Sequence, residues 1–334
     1  MSLVSHRVRL FVRISCALAV FALGSCAGSL QKEELQERLH DLAHGFDGRV
    51  GVCAQDGLGM ACVNGDERFS LQSVMKLLVS LAVMDAVDHR GWNLNERVLV
   101  HKENLSLYVQ PIAKLVTDAG YPTTVGDLMR RAIVDSDSAA TDILVEKLGG
   151  PPKVQAFLDR HSIRGVRFDR DEKHLQTEIL GLEWRPEFVD AAVLDRAITA
   201  VPDERRDQAY RRYQTDARDT ATPRGMATLL YWLAQGKLLS AESTKLLLEV
   251  MAQTVTFPDR LKAGVPDSWR LAHKTGTSSS WKGVTAATND VGVLIAPDGV
   301  NVSIAVFVGD SREPSERRAT LMARAASATI ANYW

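Results

Sequence analysis

Three serines in this chain stand three residues ahead of a lysine: Ser29–Lys32, Ser73–Lys76 and Ser279–Lys282. Serine is a weak nucleophile until a base takes its proton. A lysine amine can be that base when desolvation or a nearby cation lowers its pKa. On a helix, a spacing of three puts both side chains on one face. A chain of this length should nevertheless hold about one such pair by chance, so context has to choose among the three. Ser29 follows an apolar N-terminal stretch, and Ser279 lies in a Ser-rich loop after a strand-like run. Ser73 alone opens a helix through the mostly apolar run at residues 77–87, which reads as buried on all sides. The free N–H groups and positive dipole end of such a helix favour a developing oxyanion. Ser73 is therefore the candidate nucleophile and Lys76 its candidate base.

Two further triplets follow in order. Ser136-Asp137-Ser138 sits in a loop entering a helix, and Lys274-Thr275-Gly276 ends a strand-like run. A strand edge with this second triplet offers a cation and a hydroxyl to a substrate carboxylate. Gly276 lets the backbone come close, and the N–H of Thr277 can act as a second oxyanion donor. His273, beside Lys274, reads as a packing residue at a strand end. No G-x-S-x-G elbow and no His-Glu-x-x-His helix is present. No metal site is expected, because neither Cys53 nor Cys62 has a His or Cys partner at ligand spacing.

The elements that must position these groups are legible in outline. Residues 30–44 carry helical periodicity, and 49–55 and 60–63 read as strands around a turn at Asp56-Gly57-Leu58-Gly59. The middle of the chain is mostly helical patterns. Strands are expected at 269–274, 290–296 and 302–309, with a closing helix at 315–333. Strand-rich material at both ends brackets a helical middle, so the fold class is α+β, an antiparallel sheet flanked by terminal helices with an inserted all-α domain. The active site lies between the two. The division expected is 26–70 with 262–334 for the α+β domain and 71–261 for the helical one.

The ends and the composition add constraints. Arg7, Arg9 and Arg13 precede a short apolar stretch, and Leu23-Gly24-Ser25-Cys26 resembles a bacterial lipobox. Residues 1–25 thus read as a lipoprotein signal peptide and Cys26 as the lipidated first mature residue. The expected location is periplasmic, anchored to a membrane through that lipid. In an oxidising compartment Cys53 and Cys62, facing each other across the first hairpin, are either a disulfide or two buried thiols. A net charge of −1, with acids and bases mixed, leaves no footprint for nucleic acid. A monomer is expected.

The full set of motifs resembles the class A serine β-lactamases. The resemblance extends through Asn64-Gly65-Asp66, Ala272-His273-Lys274-Thr275-Gly276-Thr277 and Asn289-Asp290-Val291-Gly292. Gln72, Asp142 and Thr277 look like the branch that holds several extended-spectrum enzymes. It implies a small-molecule β-lactam substrate, no cofactor, and hydrolysis through an acyl-enzyme on Ser73. Ser136 would relay a proton, and Lys274, Thr275 and Thr277 would hold the substrate carboxylate. Asp137 would be structural. Residues 167–219 match an omega loop, which gives Glu172 the role of activating the deacylating water and Gln176 that of holding it. Arg170 with Asp219 would close the loop.

Three departures stand out. Ser138 replaces the usual asparagine, and a hydroxyl offers fewer donors and acceptors than an amide. The segment between Gln176 and Asp219 is about thirty residues longer than usual, with helix-like stretches at 186–199 and 203–213. No arginine stands near Val291, so the carboxylate falls to Lys274, Thr275 and Thr277 or to an arginine the sequence does not identify. Two rival readings remain open on the same scaffold. One is a cell-envelope acyl hydrolase or peptidase. The other is a penicillin-binding or sensing module that acylates without turnover.

Overall fold

The computed structural model describes residues 24–332, with side chains from Lys32 onward. Residues 1–23 of the expected signal peptide and the Cys26 side chain lie outside that description. The first helix, α1 (Gly24–Ala43), is followed by the hairpin β1 (Arg49–Asp56) and β2 (Gly59–Val63). Asp56 builds the turn by accepting the N–H groups of Leu58 at 2.8 Å and Gly59 at 3.0 Å. Cys53 stands opposite Cys62 in this register, and a disulfide joins them.

The main sheet is antiparallel, in the order β2-β1-β10-β9-β7, where β7 is Arg270–Thr277, β9 is Val284–Ile295 and β10 is Asn301–Ser311. The short β8 (Ser280–Trp281) pairs with the start of β9. Two small pairs lie apart, β3 (Phe69–Ser70) with β6 (Thr220–Ala221) and β4 (Arg97–Val100) with β5 (Tyr121–Thr124). Period-two alternation sorts β10 between two cores. Val302, Ile304, Val306 and Val308 meet α1 and α11 (Ser315–Ala331) on one face. Ala305 and Phe307 meet the helical interior on the other. Each such buried Val or Ile contributes about 1.5–3 kcal/mol, and these two faces hold the sheet rigid behind the site.

Strands β7 and β9 run further than their apolar patterns predict. The stretch Thr285-Ala286-Ala287-Thr288-Asn289-Asp290 is small and polar, yet it pairs with β10 on one side and, on the other, with β8 at Thr285 and β7 from Thr288 onward. Both neighbours make it a central strand, which carries Lys274 through Thr277 along its edge.

The helical part comprises α2 (Met75–His89), α3 (Val125–Val134), α4 (Ser138–Leu148), α5 (Pro151–Arg160), α6 (Glu172–Ile179), α7 (Ala191–Thr199), α8 (Asp203–Thr215), α9 (Pro223–Ala234) and α10 (Ala241–Met251). Helix α2 is buried from Met75 to Ala86, its mostly apolar sequence taking Lys76, Ser80 and Asp85 inside with it. Helix α9 packs against β1, β9 and β10, covering the inner face of the sheet.

Candidate active site

Ser73 does not open α2 directly. It sits in a single 3-10 turn, Gln72–Val74, that leads into the helix, because Gln72 is held at φ +46° and breaks the α geometry. Between Leu71 and Ala86 every residue except Ser73 is buried. An accessible hydroxyl thus stands on a fully packed helix start. Gly276 lies against the same turn: a Cβ there would fall 2.6 Å from Leu71 O and 3.2 Å from Ser73 N. Asn289 adds two hydrogen bonds, from Nδ2 to Ser70 O at 2.8 Å and Leu71 O at 3.0 Å.

The Lys76 ammonium is fully buried and its contacts are all catalytic candidates. It donates to Ser136 O at 2.6 Å and Ser138 Oγ at 3.1 Å, and pairs with Glu172 Oε1 at 3.2 Å. Ser136 Oγ lies between two lysines, 3.4 Å from Lys76 Nζ and 3.0 Å from Lys274 Nζ. Burial pushes the Lys274 amine well below its ordinary value, and the neighbouring Lys76 adds to the effect. Ser136 itself is at φ +59°. Asp137 is structural: it caps α4 through Ala140 N at 2.9 Å and also accepts Ile112 N at 2.7 Å.

Glu172 starts α6, and its backbone is held by Asp142, which accepts Glu172 N at 2.8 Å, Lys173 N at 3.2 Å and the Ser106 hydroxyl at 2.6 Å. Burial, then repulsion from Asp171, pushes the Asp142 carboxyl up to about 7. Gln176, one turn on, donates to Glu172 Oε2 at 3.3 Å and to Gln72 Oε1 at 2.9 Å. The loop is closed by Asp219, which accepts Arg170 Nε at 2.7 Å, Arg170 N at 2.9 Å and Asp169 N at 2.6 Å. Burial works against the Arg170 cation, but Asp219, Glu178 and Asp216 outweigh it.

The strand edge contains a residue that the sequence reading did not identify. Arg260, buried, donates to Thr277 Oγ1 at 2.7 Å, Gly276 O at 3.3 Å and Asn289 O at 3.0 Å. Burial lowers its pKa to about 10. Arg260 sets a buried guanidinium against Thr277, delivered from the loop ahead of β7 rather than from the strand that carries Val291. The Thr275 hydroxyl shares a hydrogen bond with Thr256 at 2.6 Å. His273 is buried with Nδ1 at 2.8 Å from Asp290 Oδ1, facing away from the lysine cluster into the fold.

A model of the beta-lactamase enzyme family matches residues 34–334. The chain belongs to that family. It is 30% identical over 312 residues to the extended-spectrum beta-lactamase PER-1 of Pseudomonas aeruginosa, covering 92% of this chain and 90% of that one. Among solved structures, an ancestral class A beta-lactamase is 29% identical, with a TM-score of 0.71 over 90% of this chain and 100% of its own. A class A representative from Bacteroides cellulosilyticus DSM 14838 shares the fold, with a TM-score of 0.73 at 23% identity over 90% and 98% of the two chains. These relatives agree with the class A assignment that the motifs imply.

Against that family pattern, Ser138 keeps the contact to Lys76 but not the reach of an amide. The long segment after Gln176 is ordered as two parts. Residues Phe188 and Leu194 join Leu107 and Leu180 in a small separate core on the helical side. Helix α8 docks on the sheet side. Tyr210 Oη accepts Ala286 N at 2.9 Å and faces Val284 O at 2.9 Å and Ser279 O at 3.0 Å. Asp207 accepts Trp281 Nε1 at 2.6 Å and pairs with Lys282 at 2.8 Å, and Arg206 stacks on Trp281 at 4.0 Å. The insertion therefore bridges both walls of the beta-lactamase cleft, while Ser73 and Thr277 stay partly accessible.

Proposed function

We propose that this beta-lactamase opens β-lactam rings by a two-step acyl transfer, with Ser73 as nucleophile and Glu172 as the base of the second step. The substrate carboxylate meets Thr275, Thr277, Lys274 and Arg260. Lys76, Lys274 and Arg260 are buried at the site with Glu172 and Asp290 as the neighbouring carboxylates, so the site gains from an anionic substrate. Its negative charge favours the protonated form of Lys274, whose amine burial otherwise disfavours.

Ser73 Oγ attacks the lactam carbonyl carbon and its proton passes to Lys76 or Glu172, which lie 3.2 Å apart and can share it. The Ser73 and Thr277 N–H groups hold the oxyanion. When the C–N bond breaks, Ser136 gives its proton to the ring nitrogen and recovers one from Lys76 or Lys274. A water then loses a proton to Glu172 and attacks the ester, and Ser73 leaves with the returned proton. The observation that carries this reading is the placement of Glu172: buried, paired with Lys76, and flanked by the Gln176 amide. An enzyme that only acylates needs no such carboxylate.

The test is mixing with a chromogenic cephalosporin. Steady turnover is expected; a stoichiometric burst that stops, or no reaction, would overturn the reading. For its setting, we propose an exported monomer tethered to a membrane through a lipid on Cys26. The Cys53–Cys62 pairing and the lipobox-like residues support that view, and fractionation of cells producing the wild-type and Cys26→Ala chains tests it.

A further inference from the structure

Gln72, immediately before the nucleophile, is tied to the inserted segment. Its side chain is 1% exposed and both ends of its amide are used. Nε2 donates to the Tyr213 hydroxyl on α8, and Oε1 accepts from Gln176 Nε2 at 2.9 Å. The same Gln176 nitrogen gives its other hydrogen to Glu172 Oε2 at 3.3 Å. Beyond Tyr213, its oxygen lies 2.8 Å from Ser70 Oγ. Burial pushes the Tyr213 phenol up, so it keeps its hydrogen. Its oxygen accepts from Gln72 and shares the hydrogen bond with Ser70, in which either hydroxyl can donate.

The chain of bonds has one sense. The Glu172 carboxylate can only accept, and at the other end the Tyr213 oxygen accepts the Gln72 N–H, so the Gln72 carbonyl faces Gln176. Gln176 must then turn its N–H groups toward both Gln72 and the Glu172 carboxylate. Without the Tyr213 oxygen, the buried Gln72 N–H loses its acceptor, and the Gln176 bond alone opposes inversion of the amide. Inverted, it would present N–H to N–H, and Gln176 would relieve that by setting its own carbonyl against Glu172.

We propose that Tyr213 is a positioning residue for deacylation, acting through Gln72 and Gln176 on Glu172 and its attacking water. The insertion thereby reaches the chemistry as well as the cleft walls. The inference rests on the acyl-enzyme reading above, and its failure is separable from failure of that reading.

The variant is Tyr213→Phe, which keeps the ring packed edge-on to Tyr210 at 6.1 Å and removes only the oxygen. With a chromogenic cephalosporin, kcat should fall about tenfold, with KM falling in parallel and kcat/KM held within about twofold. Mass spectrometry should find the acyl adduct on Ser73 accumulating in the steady state. Gln72→Met breaks the next link and should give the same pattern, and the double variant should be no worse than the poorer single one. Parallel loss of kcat and kcat/KM, unchanged kinetics in Y213F, or additive losses in the double variant would overturn the proposal. If the wild-type protein itself showed no turnover, the underlying reading would fall first. Should Y213F not accumulate, Q72M alone decides: rapid deacylation without a trapped adduct sinks the relay.

Discussion

The first part of the long loop, residues 170–179, and the insertion that follows it, residues 182–216, are held by different physics. The first is pinned by directional bonds to buried charges. Asp219 takes three donors from Asp169 and Arg170, and Asp142 takes the N–H groups of Glu172 and Lys173. In the second, the part through α7 is held mainly by apolar contacts around Phe188 and Leu194, and α8 then adds polar contacts through Asp207, Tyr210 and Gln214. Directional bonds fix atoms to tenths of an ångström, whereas a small apolar core fixes only where a segment lies. Catalytic placement belongs to the first kind of contact and coverage of the cleft to the second, with Tyr213 as the point where they join.

This contrast can be broken at its strongest point first. Glu172→Gln should lower turnover about a thousandfold and leave the acyl-enzyme visible by mass spectrometry; turnover at the wild-type rate would end its role as base. Next, Asp219→Ala strips the buried Arg170 of its main partner and should cost about 3 kcal/mol in denaturant unfolding, since Glu178 and Asp216 remain. Phe188→Ala should cost about as much within its own small core. Hydrogen exchange should then show protection lost in α7 but kept in α6, and protection lost equally in both would erase the distinction.

The last effect concerns pH. The native Asp142 binds its proton up to about 7, whereas its ordinary value is 3.8. The native state thus holds a proton the unfolded chain has released, so stability declines as pH rises from about 4 to about 7. Urea midpoints across that range should show the slope, and Asp142→Asn should flatten it.

The parts of the site that lie on regular elements were legible from local pattern. Ser73 was set apart by the apolar run behind it, and Lys274 through Thr277 by the strand they end. Asp137 was placed as structural through the resemblance, and the structure supplies the reason in its cap on α4. Arg260 was not legible, because it comes from an irregular loop and reaches a strand whose own pattern has no slot for it. Tyr213 left a fainter trace. With Tyr210 it is one of two aromatics in the otherwise strongly charged helix α8, a spacing that marks a docked face but not what it docks against. The extent of β9 escaped for a further reason: a central strand is stabilised by its partners, and Asn289 and Asp290 carry no strand signal of their own. The 3-10 turn at Ser73 depends on the φ of Gln72, which tertiary bonds impose.

The contact of Gly276 with the Leu71–Ser73 turn has a consequence for the energetics of the reaction. The two N–H groups assigned to the oxyanion belong to different elements, one on the sheet edge and one at the start of the helical segment. With no side chain between them and Asn289 bonding Ser70 and Leu71 across the gap, they form one rigid body. Their dipoles are aligned when the chain folds, so none of the activation barrier is spent on reorganising them when the carbonyl gains its charge. Any side chain at position 276 would separate that pair and return the reorganisation energy to the chemical step.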